Sequence, residues 1–404
     1  MLADLRPEEQ LCCLLCRRNI SEQTGQVVGS LMRTGINWGA FLDLTFRHRI
    51  YPLVYHHMSQ VFAETVPREV LKRLQVHAVT NAKRSEAMAN ELAGVLDLLA
   101  SAGIRAVPLK GPVLIERIWG DSRLGVYHDL DILVKPEDAR HAVHVLLQRG
   151  YRLRDTHPLV RSEWNQGSNP VVLVRNHELG FRLLIDLHHT LVEHKWIGRA
   201  VGRPEHLWEH LESSNFAGAA VWLLPDDWNL VLLALHTLQH WFRLLHWVAE
   251  FWGLGRLCPG AWPDALQRAR EIDADREVSF LSRVSDMILG ETLTTSSGVP
   301  RFVARLAQGP FKPLNSEFAL HRFQLAVRSG AREKIAYLLS FPFVPTPSDW
   351  TFLPLPSRLR PVHYVLRPIR LIVTYLIWLP LGAAWRFSSS LLRPFDNSRP
   401  RNES

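Results

Sequence analysis

Apolar positions recur at three- and four-residue spacing up to about residue 102, give way to short β-branched runs between 105 and 187, and return to helical spacing from about 203. Within residues 1–66, Trp38, Phe41, Leu42 and Phe46 form one such stripe ahead of Tyr51-Pro52. From Pro67 to about Ala102 a long periodic segment follows, with Leu92, Val95, Leu96, Leu98 and Leu99 on its apolar face and Gly103 as a natural stop. The middle of the chain predicts a strand near 105–109, a helix near 111–119 and a strand over 130–134. A helix over 137–148 follows, opened by Pro136 and ended at Gly150. Two runs, 170–175 and 181–187, flank the turn-like Asn176-His177-Glu178-Leu179-Gly180 and read as a hairpin. Helical spacing then covers 226–252, 262–288, 298–308 and 318–340, and the Pro- and Ser-rich residues 342–361 read as an extended connector. This order predicts an α+β protein, a mixed β-sheet core with helices flanked by N-terminal and C-terminal helical regions. The expected divisions are 1–102 (N-terminal helical region), 103–202 (α+β core), 203–341 (helical domain) and 342–404 (Pro-rich arm and basic, apolar C-terminal helix).

One stretch breaks the apolar pattern in a chemically pointed way. In Asp129-Leu130-Asp131-Ile132-Leu133-Val134, two carboxylates sit at i and i+2, so on a strand both project from one face while Leu130, Ile132 and Val134 enter the core. Paired carboxylates on a rigid strand suit Mg²⁺, a hard cation that takes oxygen ligands and keeps room for phosphate oxygens. Upstream, Lys110-Gly111 follows the run Ala106-Val107-Pro108-Leu109 at the start of the predicted helix. Glycine permits close backbone approach, and free N–H groups at a helix N-terminus favour anions.

Leu109-Lys110-Gly111-Pro112, Arg123 and Asp129-Leu130-Asp131-Ile132-Leu133-Val134 together resemble the LKG…R…DxDxLV signature of a bacterial group of nucleotidyltransferases. That group belongs to the wider superfamily of DNA polymerase beta and the aminoglycoside nucleotidyltransferases. Leu184-Ile185-Asp186-Leu187-His188 resembles the group's later hydrophobic-Asp-hydrophobic-His strand, and His236, His240 and Arg243-Leu244-Leu245 resemble its helical H…H…RL segment. Pro345-Thr346-Pro347-Ser348-Asp349-Trp350, with Leu366-Arg367-Pro368-Ile369-Arg370-Leu371, is similar to its C-terminal end. The resemblance implies a nucleotidyltransferase-type sheet and Mg²⁺-dependent (or Mn²⁺-dependent) transfer of a nucleoside monophosphate from an NTP donor to a hydroxyl. The acceptor would be a small molecule, a sugar or lipid intermediate, or a protein. Asp129, Asp131 and Asp186 are then the expected catalytic and metal-binding carboxylates, with Asp186 accepting the proton of the attacking hydroxyl. Lys110, Gly111, Arg123 and His188 are the expected nucleotide- and phosphate-binding residues. Most of the superfamily carries Gly-Ser where this chain has Gly111-Pro112, so Lys110 takes the serine's place as a phosphate contact. The contrasting expectation is a non-catalytic binding or scaffold protein with the same fold, working in a membrane-associated envelope or exopolysaccharide pathway.

Composition narrows these options. The net charge of +8 is concentrated at one end: residues 351–404 hold eight arginines against Asp396 and Glu403, leaving +2 for the 350 residues before them. An extended nucleic-acid partner is therefore not expected, whereas a localised basic C-terminus is. Leu371 to Trp385 has no charge, is broken by Pro380 and is short for a membrane span, which needs about 20 apolar residues. Its flanking arginines and aromatic residues suit either a helix packed on the helical domain or peripheral membrane contact through residues 358–393. Met1-Leu2-Ala3-Asp4 predicts no signal peptide, and four cysteines, three of them at 12, 13 and 16, predict a reducing cytoplasm, including its inner membrane face. Cys13-x-x-Cys16 has no answering pair and reads as core packing. His236 and His240 have metal spacing on a helix but lack a zinc-protease glutamate, so they read as helix packing.

Overall fold

A computed structural model describes residues 5–154, 171–191, 205–240, 242–272 and 274–290, together with scattered positions between 325 and 356 and all of 357–373. Its internal contacts divide the chain into two units, one of residues 1–156 with 163–328 and one of 157–162 with 329–404.

In the first unit four helices, α1 (Pro7–Leu15), α2 (Glu22–Arg33), α3 (Trp38–Arg47) and α4 (Tyr51–Val61), lead into the 34-residue α5 (Arg68–Ser101). Cys12, Cys13 and Cys16 are buried among these helices, where burial pushes their thiols up, that of Cys16 to about 12. They are packing residues. α5 ends where Gly103 takes φ 76°, a left-handed turn open to glycine.

Then come β1 (Ala106–Pro108), α6 (Pro112–Trp119), β2 (Leu130–Val134), α7 (Ala139–Gln148), β3 (Arg152–Leu153), β4 (Val171–Asn176) and β5 (Arg182–His188). The strands form one mixed sheet in the order β1-β2-β5-β4-β3. β2 runs parallel to β5, and every other pairing is antiparallel. The expected strand–helix–strand–helix–hairpin order is present, with β2 at the residues its pattern predicted.

Both sides of β2 are covered. Leu130, Ile132 and Val134 pack with Met88, Leu92, Val95, Leu96 and Leu99 of α5 and with Leu183, Ile185 and Leu187 of β5. Leu133 belongs instead to a second core, shared with Val107, Leu109, Leu114 and Ile118 and with helices further along the chain. A strand covered on two sides reads as a continuous apolar run, so the acid inside it is forced into the interior.

Beyond β5 the fold departs from the helical expectation. Residues 212–223 form a two-stranded hairpin, β6 (Glu212–Phe216) and β7 (Ala219–Leu223), turned through Ala217 and Gly218, both with positive φ. The predicted helix 226–252 is two helices, α8 (Asp226–Gln239) and α9 (Leu245–Leu257), and 262–288 is likewise α10 (Trp262–Glu271) and α11 (Asp275–Leu289). The first break centres on Phe242, whose φ of 51° no helix accommodates. The expected helix at 298–308 lies outside the described residues, as does most of 318–340.

In the second unit α12 (His363–Ile372) buries Arg367, which pairs with Asp349, while Arg370 Nε lies 2.7 Å from the other oxygen of the same carboxylate. Tyr364, Val365, Ile369 and Ile372 are exposed on that helix. No helix among the described residues is long and apolar enough to cross a membrane. Most of the expected apolar run Leu371 to Trp385 lies outside the described residues.

Candidate metal and nucleotide site

The site is assembled by backbone register. Asp131 on β2 stands directly opposite Asp186 on β5, and His188 follows two residues further on the same strand face. The N–H of Leu109 donates to the carbonyl of Asp131 at 3.0 Å, which fixes Lys110 beside that acid. Gly111 then caps α6 with φ 75°, a conformation that asks for glycine, and Pro112 supplies a pre-set first helical residue.

Asp131 is the hub. Its Oδ2 lies 3.1 Å from Lys110 Nζ, and His188 Nε2 donates to its Oδ1 at 2.9 Å. Burial opposes the charge, but the ammonium of Lys110 and the imidazole of His188 outweigh it and hold the carboxyl well below the usual range. Lys110 also donates to Nδ1 of His236 at 3.2 Å. Burial and that lysine push the His236 pKa well down, leaving a neutral ring that accepts the bond. The His240 ring lies edge-on to His236 with centroids 4.6 Å apart and tilted against Trp247 at 4.9 Å, and burial with Lys110 lowers its pKa to about 4. His236 on α8 thus holds the lysine from behind, with the ring of His240, just past the end of that helix, packed against it.

The other acids sit in the reverse situation. Burial first, then Asp129 and Asp131, raise Asp186 to about 6, and burial with Asp131 raises Asp129. The two raised values express burial first and then the mutual repulsion of three acids that Lys110, with Arg49 near Asp129, offsets only in part; a divalent cation would neutralise that charge. Ligand atoms of Asp131, Asp186 and His188 lie within 4.8 Å of one another, a compact set able to hold a metal ion. Asp129 precedes β2 by one residue and is not part of that set.

The loop leading into Asp129 is held from α5. Asn81 Nδ2 donates to the carbonyls of Gly125 at 2.7 Å and Arg123 at 3.2 Å, and Ser85 Oγ donates to Gly125 at 3.1 Å. Gly125 lies against the Tyr127 ring so closely that a Cβ would fall 2.5 Å from it. Arg123 itself points outward, its guanidinium forked onto Asp121 with Nη2–Oδ2 at 2.8 Å, and no contact joins it to the acid cluster. Two residues that pattern reasoning did not single out face the cluster instead: Arg49, in electrostatic reach of Asp129, and Glu250, in reach of Lys110.

A family model described as an uncharacterised nucleotidyltransferase matches residues 34–290, a span holding α3 to α11 and every residue of this site. No curated protein and no solved structure matches the chain.

Proposed function

The chain belongs to this uncharacterised nucleotidyltransferase family, and from that premise we propose that it transfers a nucleoside monophosphate from an NTP to a hydroxyl. The observation that carries the reading is the apposition of Asp131 and Asp186 on paired parallel strands, with Lys110 at the mouth of α6. Asp129, Asp131 and Asp186, with His188 beside them, would hold Mg²⁺ or Mn²⁺; when bound, it supplies charge neutralisation at the reacting phosphate.

The chain's own residues supply the rest. Lys110, Gly111 and the first N–H groups of α6 bind donor phosphate oxygens. Asp186, more basic than an ordinary carboxylate, accepts the proton of the acceptor hydroxyl as its oxygen bonds to the α-phosphorus and pyrophosphate departs with the electrons of the broken P–O bond. His188 keeps Asp131 oriented, and the covered sheet keeps the acids in a low-dielectric setting where these interactions are strong. Arg123 is left to hold its loop through Asp121 or to turn towards phosphate once a nucleotide binds. The +2 charge of residues 1–350 supports a small or protein acceptor over an extended nucleic acid. A cytoplasmic setting, with residues 358–393 against the inner membrane face, is supported by the exposed apolar side chains of α12 and the arginines around it.

A thermal-shift panel of ATP, GTP, CTP and UTP with Mg²⁺ or Mn²⁺ tests the reading on wild type and an Asp129→Asn/Asp131→Asn variant. Metal-dependent stabilisation by an NTP that vanishes in the variant is the expected result. No stabilisation by any nucleotide would instead favour the non-catalytic scaffold.

A further inference from the structure

Next to the acid cluster is a notch walled by Arg49, Trp119, Gly125, His246 and Glu250, floored by aliphatic side chains such as Leu53 and Ile115. Its enclosed part measures about 10 Å³, room for a single oxygen-sized group rather than a whole molecule. Apart from His246, which bonds the His48 carbonyl at 3.2 Å, the polar side chains that line it lack ordinary partners. The guanidinium of Arg49 makes no hydrogen bond or ion pair among the described residues, although Asp129 and Glu250 lie within its electrostatic reach. The indole N–H of Trp119 is buried with no acceptor. The carboxyl of Glu250, on a residue only 9% exposed, makes no hydrogen bond among the described residues and has His246 Nε2 at 4.0 Å as its ion-pair contact.

The backbone at Arg49 adds an independent sign. After α3 the N–H of Ile50 bonds the carbonyl of Thr45 at 3.0 Å, and that of Arg49 bonds Phe46 at 3.1 Å. This is a left-handed helix termination in which Arg49, at φ 56°, occupies the position that glycine ordinarily fills. Helix termination gains nothing from arginine there, so its side chain is the reason to look for a use. Glycine would satisfy the backbone better.

We propose that this notch is an oxyanion subsite, in which Arg49, the Trp119 indole N–H and the Glu250 carboxyl receive one phosphoryl oxygen of a substrate. All three present hydrogens, Glu250 because burial pushes its carboxyl up to about 8 and keeps it protonated at neutral pH. Three donors outnumber the one side-chain nitrogen acceptor in the wall, Nε2 of His246, whose Nδ1 is bonded to the His48 carbonyl at 3.2 Å, and that balance suits an anion. The phosphoryl group belongs either to the polyphosphate of the donor or to a phosphorylated acceptor. That assignment alone rests on the nucleotidyl-transfer reading; the subsite itself does not.

The test is calorimetric titration of the full chain, in chelator, with inorganic phosphate, on wild type, Arg49→Gly and Trp119→Phe. Arg49→Gly removes the guanidinium while suiting the left-handed backbone, so it folds, and Trp119→Phe removes only the donor and part of a ring. Wild type is expected to bind phosphate and both variants to bind it more weakly, Arg49→Gly by roughly tenfold or more. A parallel loss of Mg²⁺·NTP stabilisation in Arg49→Gly assigns the phosphoryl group to the donor. An unchanged NTP response with weakened phosphate binding assigns it to the acceptor. Absence of phosphate binding in wild type, or equal binding by all three proteins, overturns the subsite. The nucleotidyl-transfer reading fails separately, by NTP stabilisation that persists in Asp129→Asn/Asp131→Asn.

Discussion

Asp129 and Asp131 are identical in chemistry and two residues apart, yet the structure gives their charges opposite effects on stability. Asp131 is a buried anion held by Lys110 at 3.1 Å and His188 at 2.9 Å. Replacing it with asparagine leaves the lysine, itself only 18% exposed, facing a neutral amide. Removing one partner of a buried pair costs about 3–5 kcal/mol. The asparagine oxygen can still accept from His188, and Lys110 retains His236, so about 2–3 kcal/mol is the expected loss at pH 7. Asp129 has no such partner, and burial first and then Asp131 disfavour its charge, so Asp129→Asn should be neutral or slightly stabilising. For a folded unit of this size, about 2–4 °C accompanies each kcal/mol. Thermal melts in chelator should therefore show Asp131→Asn melting about 5–10 °C below wild type, with Asp129→Asn level with or above it. Because the Asp131 carboxyl is held below its usual range, its stabilising contribution is present above pH 4 and is lost on acidification, so the difference should close toward low pH. Equal melting temperatures for the two variants, or a fall in Asp129→Asn of the same size, would refute the partition of charge described for this site.

Further outcomes can be measured alongside. Glu250→Gln should match wild type near pH 4 and gain on it as pH rises toward 9. A carboxyl raised from 4.5 to about 8 contributes stability that is present below its unfolded value and lost through its folded one. The full difference is on the order of 5 kcal/mol, read by urea titration at several pH values, and a pH-independent difference would contradict the burial of that acid. Gly111→Ala should lower stability by about 1–2 kcal/mol in chemical denaturation, because the cap of α6 sits at φ 75°; an unchanged midpoint would show that the turn relaxes. Leu96→Ala, in the α5 stripe packed on the sheet, should cost about 2–5 kcal/mol, and a loss under 1 kcal/mol would argue against that interface. Lys110→Ala should reduce metal-dependent turnover by about two orders of magnitude or more in a pyrophosphate-release assay, on the scale of losing one electrostatic group in a buried site.

Much of the framework was readable because it rests on local patterning. β2 begins and ends where its β-branched run does, and the 170–187 hairpin is announced by the break at 176–180. The α+β order and the apposition of Asp131, Asp186 and Lys110 follow from those strands and one turn. Alternation alone put Asp131 on the face opposite Leu130, Ile132 and Val134 and gave no sign that this face is covered too. Its burial comes from the second core over Leu133, built partly by residues more than 90 positions away. Arg49 and Glu250 were invisible for the same reason: one lies in the short turn between α3 and α4 and the other within α9, and only tertiary packing turns them toward the cluster. A non-glycine in the left-handed position after α3 was the one available hint, and it cannot be read without backbone angles. The β6–β7 hairpin was missed because Glu212-Ser213-Ser214-Asn215-Phe216 has no apolar alternation.

α5 spans 34 residues, about 50 Å. Val70 and Leu74 near its start belong to the core of the N-terminal helices, and Met88 to Leu99 near its end belong to the core under the sheet, with Asn81 and Ser85 holding the loop before Asp129 in between. The helix is therefore shared property. A fragment beginning at residue 103 would carry the acids and the lysine but lose one wall of the sheet and leave Leu130, Ile132 and Val134 without their α5 neighbours. Any recombination that transplanted this chemistry into another protein would have to carry α5 with it, and the heritable module is the rod together with the strands it supports.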